Sequence, residues 1–273
     1  AGLDGRTVGV EPLRLRYMEL DYLRAAAPQA KFLSGETAIN NLRIQKDAGE
    51  VEAMRKAVKI AEQGFLRMLE QVKIGMTERE LAAELSRQML RGGSEPELPF
   101  SPIIASGPNS ANPHANPSDR RLAAGDLVVV DWGASYAGYY SDLTRTLAVG
   151  NVEPELRQIA RIVADANAAG RAAGKPGIPA GAVDQAARAV IATAGYGASF
   201  THRTGHGLGM ETHEQPYMFG ENSLRLAEGM VYTVEPGIYL PGRGGVRIED
   251  DVVVTADGCE SLSSLPRDLY QVG

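Results

Sequence analysis

All four histidines of the 273-residue chain lie in two short segments. His114 ends the segment SGPNSANPH, and His202, His206 and His213 belong to the segment HRTGHGLGMETHE. Neutral imidazole is both a common metal ligand and a proton carrier near pH 7. Because both segments are non-helical in composition, this clustering predicts a functional site rather than core packing.

Four acidic residues lie in or beside segments with the composition of β-strands. Asp131 ends VVVD, Asp142 begins DLTRT, Glu235 ends VYTVE and Glu249 ends VRIE. An ionised carboxylate buried alone costs several kcal/mol, so acids at such positions normally have a partner or a metal ion. These four carboxylates are therefore candidate metal ligands.

The two-residue period of a strand predicts which neighbours share a face with these acids. Thr144 shares a face with Asp142, so we expect the Thr144 hydroxyl to support whatever Asp142 binds. By the same period, Thr233 shares a face with Glu235, and Arg247 shares one with Glu249.

Each acid also has a simpler explanation when taken singly. Asp131 could cap the turn that follows it, and Glu249 could pair with Arg247. Asp250 and Asp251, which come directly after Glu249, are expected to be solvated.

Taken together, the acids and one histidine suit a pair of metal ions. Four carboxylates and a neutral imidazole balance the charge of two divalent cations. Oxygen ligands with a single nitrogen favour Mn²⁺, with Zn²⁺ or Co²⁺ as alternatives. Two metals about 3.5–4 Å apart can hold a bridging water and lower its pKa toward neutrality, which is hydrolase chemistry.

The composition narrows the possible partners. The chain is 44% hydrophobic and 23% charged, as expected of a globular protein. Its net charge is −6 and it has no basic block, so we expect no nucleic-acid partner. We find no membrane-length apolar run and no signal peptide, and the single cysteine, Cys259, fits a reducing compartment. These features predict a cytoplasmic protein without membrane attachment.

Periodicity and capping signals predict the elements that position these residues. Strands are expected over 7–10, 101–106, 127–131, 138–147, 230–240 and 246–255, and helices over 17–26, 48–72, 78–91, 154–173 and 180–194. Helices and strands thus occur in the same order twice, which predicts an α+β fold of two halves facing each other. Residues 1–45 are too poor in apolar side chains to fold alone. They are interpreted as the end of an N-terminal domain, with the catalytic domain over 46–273.

Five sequence blocks resemble the pita-bread metallopeptidases, which include methionine aminopeptidases, aminopeptidases P and prolidases. The blocks are VDWG, SDLTRT, GHGLG with the following His213-Glu214, VEPG and RIED, and they occur in the family's order from about Lys46 to the C-terminus. The resemblance implies two pseudo-symmetric α/β halves around a curved antiparallel sheet.

The resemblance also implies a role for each candidate residue. Five residues would be metal ligands: Asp131, Asp142, His206, Glu235 and Glu249. Asp142 and Glu249 would bridge two ions, Asp131 would bind one, and Glu235 would also handle the proton of a metal-bridging hydroxide nucleophile.

The remaining histidines resemble residues that do not bind metal. His114 and His213 would bind the scissile carbonyl, stabilise the oxyanion or pass a proton to the leaving nitrogen. His202 resembles a residue that lines the pocket of proline-specific members, although a hydrogen-bonded loop histidine is an alternative. Arg247 would hold the acids ionised.

The segments around His114 and His202 resemble the branch that cleaves Xaa-Pro bonds. A dipeptide's free carboxylate needs a nearby cation. The run HEQPYM, which begins at His213, contains no lysine or arginine. We therefore predict an aminopeptidase P acting on proline-containing peptides, with Xaa-Pro dipeptidase as the alternative, since Arg203 or a partner subunit could supply the cation. A metal-free creatinase-like hydrolase and a non-catalytic peptide-binding domain are remoter alternatives, and a homodimer is possible.

Overall fold

A computed structural model describes residues 2–3 and 5–273. The chain forms two compact units, Ala1–Gln45 and Lys46–Gly273. The first unit contains β1 (Thr7–Val10), α1 (Tyr17–Ala26), β2 (Lys31–Ser34) and α2 (Glu36–Arg43). Strands β1 and β2 pair in parallel. The sequence predicted β1 and α1 but missed β2 and α2, which are four and eight residues long and carry little periodicity.

The first half of the larger unit begins with two helices and continues into strands. These elements are α3 (Ala48–Leu69), α4 (Glu78–Arg91), β3 (Ile103–Ser106), β4 (Leu127–Trp132), β5 (Ser135–Tyr136), β6 (Tyr139–Tyr140) and β7 (Leu143–Val149). Both helices begin at a capping box, Asp47 with Glu50 and Thr77 with Glu80. In each box the side chains satisfy backbone N–H groups that the first helical turn leaves free.

The second half repeats the order of two helices followed by strands. Its elements are α5 (Pro154–Ala173), α6 (Gly181–Thr193), β8 (Gly205–Gly207), β9 (Glu214–Met218), β10 (Val231–Val234), β11 (Gly237–Leu240), β12 (Gly244–Arg247), β13 (Asp250–Val254), β14 (Cys259–Ser261) and β15 (Tyr270–Val272). Single turns of 3-10 helix lie at Gly107–Ala111 and Gly197–Ser199.

Two sheets contain Asp131 and His206, and the other three candidate metal ligands lie at the ends of their strands. One has the strand order β15-β7-β4-β3 and the other β14-β13-β10-β8-β9. Strands β4 and β7 pair antiparallel and place Asp131 opposite Thr144. Helices and largely antiparallel sheets in one unit confirm the predicted α+β fold.

Three predicted strands are interrupted. The segment 230–240 forms β10 and β11 in different sheets, because Pro236 lies between them and has no N–H to continue a ladder. The segment 246–255 spans β12 and β13, which leaves Glu249 in a single bridge with Thr144. The segment 138–147 divides into the short hairpin strand β6 and the longer β7. Each of these breaks places an acidic residue beside a strand end, namely Glu235, Glu249 and Asp142, and there the side chains can converge.

Apolar cores fix the helices against these sheets. The Phe65 ring of α3 stacks on Trp132 of β4 with centroids 4.4 Å apart. The Trp132 indole N–H also donates to the Ala61 carbonyl at 2.9 Å. A second cluster packs α5 and α6 against Ile238 and Val246. In the described part of the chain, every helix is too short or too polar to span a bilayer.

Candidate metal centre and substrate cavity

The predicted site residues, which are up to 135 positions apart in sequence, all line one cavity of ≈ 860 Å³. They are His114, Asp131, Asp142, His202, His206, His213, Glu235 and Glu249. Strands and strand ends from both halves of the larger unit contribute to this set. The fold therefore brings every candidate residue to one place.

Three of these residues form the centre of the arrangement. Asp142, His206 and Glu249 are buried and each offers a ligand atom within 4.8 Å of the others. His206 Nε2 lies 3.6 Å from Asp142 Oδ2 and 3.4 Å from Glu235 Oε1. These atoms surround a space that a divalent cation could fill.

Asp131 gives an independent test of whether a cation fits. Its Oδ2 accepts a 2.7 Å hydrogen bond from Arg247 Nη2. Its Oδ1 is buried and has no hydrogen-bond donor among the described residues. A buried carboxylate oxygen without a donor is costly unless a cation occupies its free side. The residues present therefore fit a metal centre.

The pKa shifts of the buried acids also favour a bound cation. Burial, followed by repulsion from neighbouring carboxylates, raises the pKa of Asp142 and of Glu249 well above the usual range. Burial also raises the pKa of Asp131, and raises the pKa of Glu235 to about 7. Arg247 opposes these shifts at Asp131, Glu235 and Glu249 but is a single positive charge. Bound cations would keep all four groups ionised.

His206 is held in a form suited to metal binding. Burial, with a smaller contribution from His213, lowers the pKa of His206 to about 3, which keeps the ring neutral. His206 Nδ1 lies 3.1 Å from the Gly207 carbonyl. A carbonyl can only accept, so the proton belongs on Nδ1 and Nε2 is free to face the carboxylates.

The glycines beside His206 are required by close strand packing. A Cβ at Gly205 would collide with the Thr233 carbonyl, and one at Gly207 would collide with the Gln215 carbonyl. The His206 backbone N–H also donates to Thr233 Oγ1 at 3.1 Å. Strand β8, which carries the candidate ligand His206, is thus packed tightly between its two neighbours.

Arg247 connects several parts of the site. Its Nη2 donates to Asp131, and its Nε donates to Thr144 Oγ1 at 3.2 Å. Its Nη1 donates to the Tyr239 hydroxyl at 2.9 Å and to the Pro113 carbonyl at 3.2 Å. The simpler alternative, in which Glu249 only pairs with Arg247, is not supported, because the guanidinium faces Asp131 instead. Nor does Asp131 cap a turn, since it lies within β4.

Thr144 supports the candidate centre through Glu249 and not through Asp142 itself. Its hydroxyl donates to Glu249 Oε2 at 2.6 Å, and Glu249 lies with Asp142 around the same candidate metal position. The bridge between Thr144 and Glu249 brings these two residues together. Asp142 is supported differently, because its backbone N–H donates to Asp251 Oδ2 at 3.0 Å.

The expectation that Asp250 and Asp251 are solvated is also wrong, since both are fully buried. Asp250 accepts hydrogen bonds at 2.8 Å from Arg145 and from Arg267. These arginines outweigh the effect of burial and lower the Asp250 pKa. The counter-ions come from distant segments, which is why local sequence did not reveal them.

The other histidines surround the candidate ligands. The His213 ring lies 4.1 Å from that of His206 between centroids. His114 follows Pro113, whose carbonyl Arg247 holds. His202 has one ring nitrogen 2.7 Å from the Arg203 carbonyl and the other 2.8 Å from the Tyr239 hydroxyl. His202 is thus both a hydrogen-bonded loop histidine and part of the cavity wall, so its two interpretations are compatible.

Sequence reasoning missed two features of the site. Tyr239 links Arg247 to His202, but it is one of ten tyrosines and lies in no recognisable motif. Lys46 forms a buried ion pair with Glu214, with Nζ 2.5 Å from Oε1. Lys46 and Glu214 are 168 positions apart, so no local pattern could connect them.

Comparison with known proteins decides the family. The model of metallopeptidase family M24 matches residues 52–256. The chain belongs to metallopeptidase family M24. This confirms the resemblance to the pita-bread metallopeptidases and supports divalent metal ions at the centre described above.

Individual relatives of this M24 chain are similar in sequence and in structure. The Xaa-Pro dipeptidase of Pyrococcus furiosus is 41% identical over 263 residues, which are 96% of this chain and 75% of that protein. The solved prolidase from Pyrococcus furiosus has a TM-score of 0.90 at 41% identity and covers 96% of this chain and 77% of its own. The X-Pro aminopeptidase of Thermotoga maritima has a TM-score of 0.93 at 38% identity, with coverages of 98% and 75%.

Proposed function

We propose that this M24 chain is a dinuclear-metal Xaa-Pro dipeptidase that uses Mn²⁺. The observation that carries the proposal is the cluster of buried carboxylates around neutral His206, with an unpartnered Asp131 oxygen within the described structure. Relatives named Xaa-Pro dipeptidase at about 40% identity support the substrate class.

The sequence-based preference for aminopeptidase P is not confirmed, and the dipeptidase alternative fits the relatives better. That preference rested on the lack of a cation in the run after His213. A cation can reach the same cavity from another segment, and Arg203 lines it. The missing local arginine is therefore a weak argument against dipeptides.

In the proposed mechanism, Asp131, Asp142, His206, Glu235 and Glu249 hold the two ions. When bound, such ions polarise a carbonyl and lower the pKa of a bound water toward neutrality. Glu235 would also be the carboxylate that takes the proton of the attacking water and returns it. Its Oε1 is held by the Thr233 hydroxyl at 3.3 Å.

The histidines act on the substrate in this proposal. His213 and His114 line the cavity beside the candidate ligands and can donate to the scissile carbonyl or to the leaving proline nitrogen. Burial, then the positive charge of Arg203, lowers the pKa of His213. A neutral imidazole can still donate one hydrogen bond, so His213 can stabilise an oxyanion without carrying a charge. His202 would line the pocket and orient Tyr239.

The test is hydrolysis of Ala-Pro and Ala-Pro-Ala side by side, with Ala-Ala as the control peptide. The protein is reconstituted separately with Mn²⁺, Zn²⁺ and Co²⁺, and metal content is measured by mass spectrometry. We expect two ions per chain and cleavage of Ala-Pro in preference to the other peptides, with the highest rate in Mn²⁺. Cleavage of Ala-Pro-Ala alone would favour aminopeptidase P, and a metal-loaded protein that cleaves neither proline peptide would refute the proposal.

A further inference from the structure

Two arginines line the cavity, and they differ in how their donors are used. Arg247 is buried and its guanidinium is engaged by Asp131, Thr144, Tyr239 and the Pro113 carbonyl. Arg203 is exposed to the cavity. Among residues 2–3 and 5–273, no side chain forms an ion pair with Arg203. Of the two cations, only Arg203 is therefore available to a ligand.

Arg203 is nevertheless held in place. Its guanidinium carbon lies 4.6 Å from the centre of the Tyr217 ring. Tyr217 pairs with His206 across strands β8 and β9, so the stacking surface is fixed to the strand that carries a candidate ligand. Stacking occupies the face of a guanidinium and leaves its N–H edge free for a planar, bidentate partner. A carboxylate is the partner that matches this edge.

The position of Arg203 relative to the reaction limits which carboxylate it can meet. Arg203 is three residues before His206 and lines the same cavity as His206 and His213. In an Xaa-Pro dipeptide the terminal carboxylate is about one residue, roughly 3.8 Å, beyond the scissile bond. A cation that binds this carboxylate must therefore lie beside the metal centre.

We propose that Arg203, stacked on Tyr217, binds the free C-terminal carboxylate of the substrate and so selects dipeptides. This inference rests on the proposed Xaa-Pro hydrolysis. The arrangement supplies, from the segment just before strand β8, the cation that the run after His213 lacks. Longer peptides have a neutral amide at the same point and lose the charged bidentate contact.

The test compares Ala-Pro with Ala-prolinamide, which differ by the charge at this one position. We expect Arg203→Gln to raise KM for Ala-Pro by about 10- to 100-fold with little change in kcat, because the contact is made equally in the ground and transition states. Ala-prolinamide should show unchanged KM. Arg203→Lys should recover part of the Ala-Pro affinity, since it keeps the charge and loses the bidentate geometry.

Matched variants separate this role from a general loss of charge or structure. Tyr217→Leu removes the stacking ring and should raise KM for Ala-Pro more than Tyr217→Phe, which keeps the ring. Arg161→Gln removes an exposed charge of α5 outside the cavity and should change neither substrate. Inhibition by proline, compared with prolinamide, gives a second measure of the same contact and should weaken in Arg203→Gln.

The outcomes distinguish the two proposals. If Arg203→Gln changes Ala-Pro and Ala-prolinamide by the same factor, or changes neither, the carboxylate role is refuted while Xaa-Pro hydrolysis stands. If the wild-type protein loaded with metal cleaves no Xaa-Pro substrate, the proposed function fails and this role fails with it. Metal content equal to wild type in every variant excludes an indirect effect through the metal centre.

Discussion

The Thr144 hydroxyl donates to Glu249 Oε2 at 2.6 Å, and the same hydroxyl oxygen accepts a hydrogen bond from Arg247 Nε at 3.2 Å. Thr144 therefore relays the position of a buried arginine to a candidate bridging carboxylate. One Glu249 oxygen is fixed by this bond, so the orientation of the whole carboxylate is fixed. Partners that orient metal ligands in this way strongly affect metal affinity.

Replacing Thr144 tests this relay. We expect Thr144→Val, which preserves shape but removes the hydroxyl, to weaken Mn²⁺ binding by about 10- to 100-fold. Thr144→Ser should bind nearly as tightly as wild type because it keeps the donor. Competition with a chelator measures the affinity, and thermal unfolding of the metal-free proteins detects any general loss of stability. Equal affinities for the valine and serine variants would contradict the relay.

A second prediction separates metal ligands from residues that act on the substrate. We expect Asp142→Ala to lose metal, because it removes a member of the central cluster. We expect His213→Ala to keep two ions per chain and to lose about 10²- to 10⁴-fold in kcat, the usual range for a proton-transfer group. Mass spectrometry and kinetics on the same samples give both quantities. Asp165→Ala, an exposed acid of α5, is the control. Loss of both ions from the His213 variant would show that His213 is a ligand.

Removal of metal should destabilise the protein. Asp131, Asp142, Glu235 and Glu249 are buried together, and burial raises the pKa of each, with repulsion from neighbouring carboxylates adding to the rise at Asp142, Glu235 and Glu249. A ligand that binds only the folded state stabilises that state by mass action. Chelator treatment should therefore lower the Tm, and added Mn²⁺ should restore it. The Asp142→Ala variant should show little response to either treatment; a response as large as that of wild type would contradict the assignment.

The buried pair of Lys46 and Glu214 makes a prediction about stability. The Lys46 and Glu214 side chains are 2% and 8% exposed, and Glu214 Oε2 has no partner in the described residues. Lys46→Met should leave a buried, unpaired charge and cost about 3–5 kcal/mol in the free energy of unfolding. Adding Glu214→Gln should recover part of this loss, since the charge is then gone. Urea unfolding measures both variants.

The exposed pair of Arg79 and Asp119 is the matched control for that experiment. Its side chains are 62% and 79% exposed, and its atoms lie 2.7 Å apart. Solvent-exposed ion pairs contribute little, so Arg79→Met should change stability far less than Lys46→Met. Equal losses at the two positions would show that burial is not the cause.

Glu78 predicts a pH dependence of stability. Burial acts to raise the Glu78 pKa, but hydrogen bonds from the backbone N–H and hydroxyl groups of Ser106 and Ser118 outweigh it and lower the pKa. Because the folded-state pKa lies below the unfolded one, the stabilisation is complete at neutral pH. It is lost as the pH falls through the lowered folded-state value.

The comparison with Glu78→Gln isolates this effect. Wild type should have the higher Tm at about pH 7, and the difference should shrink toward about pH 3 as Glu78 becomes protonated. Both proteins are treated with a chelator first, so that metal release at low pH does not contribute to the Tm difference. A difference that stays constant or grows with acidity would show that the Glu78 pKa is not lowered by folding.

The sequence alone determined much of the fold and the list of site residues. The apolar period over 48–72 predicted α3, and the capping box at Thr77 predicted the start of α4, because both signals act over a few neighbouring residues. The repeated order of helices and strands predicted the α+β class. Acids in apolar strand segments, with His206 between glycines, predicted the residues that line one cavity.

What the sequence did not determine was which side chains pair. A two-residue period places side chains on a face of one strand, but the partner on another strand depends on register. Thr144 therefore supports Glu249 instead of Asp142, and Arg247 faces Asp131 instead of Glu249. These pairings follow from strands brought together from distant parts of the chain.

The same reason explains the burial of Asp250 and the stacking of Arg203 on Tyr217. Arg145 and Arg267 reach Asp250 from other segments, and Arg203 meets Tyr217 because β8 pairs with β9. Local sequence determined which chemical groups are available, since residue type and short-range spacing are local properties. The tertiary structure alone decided which groups share charge and hydrogen bonds, because these interactions act through space between residues that are far apart along the chain.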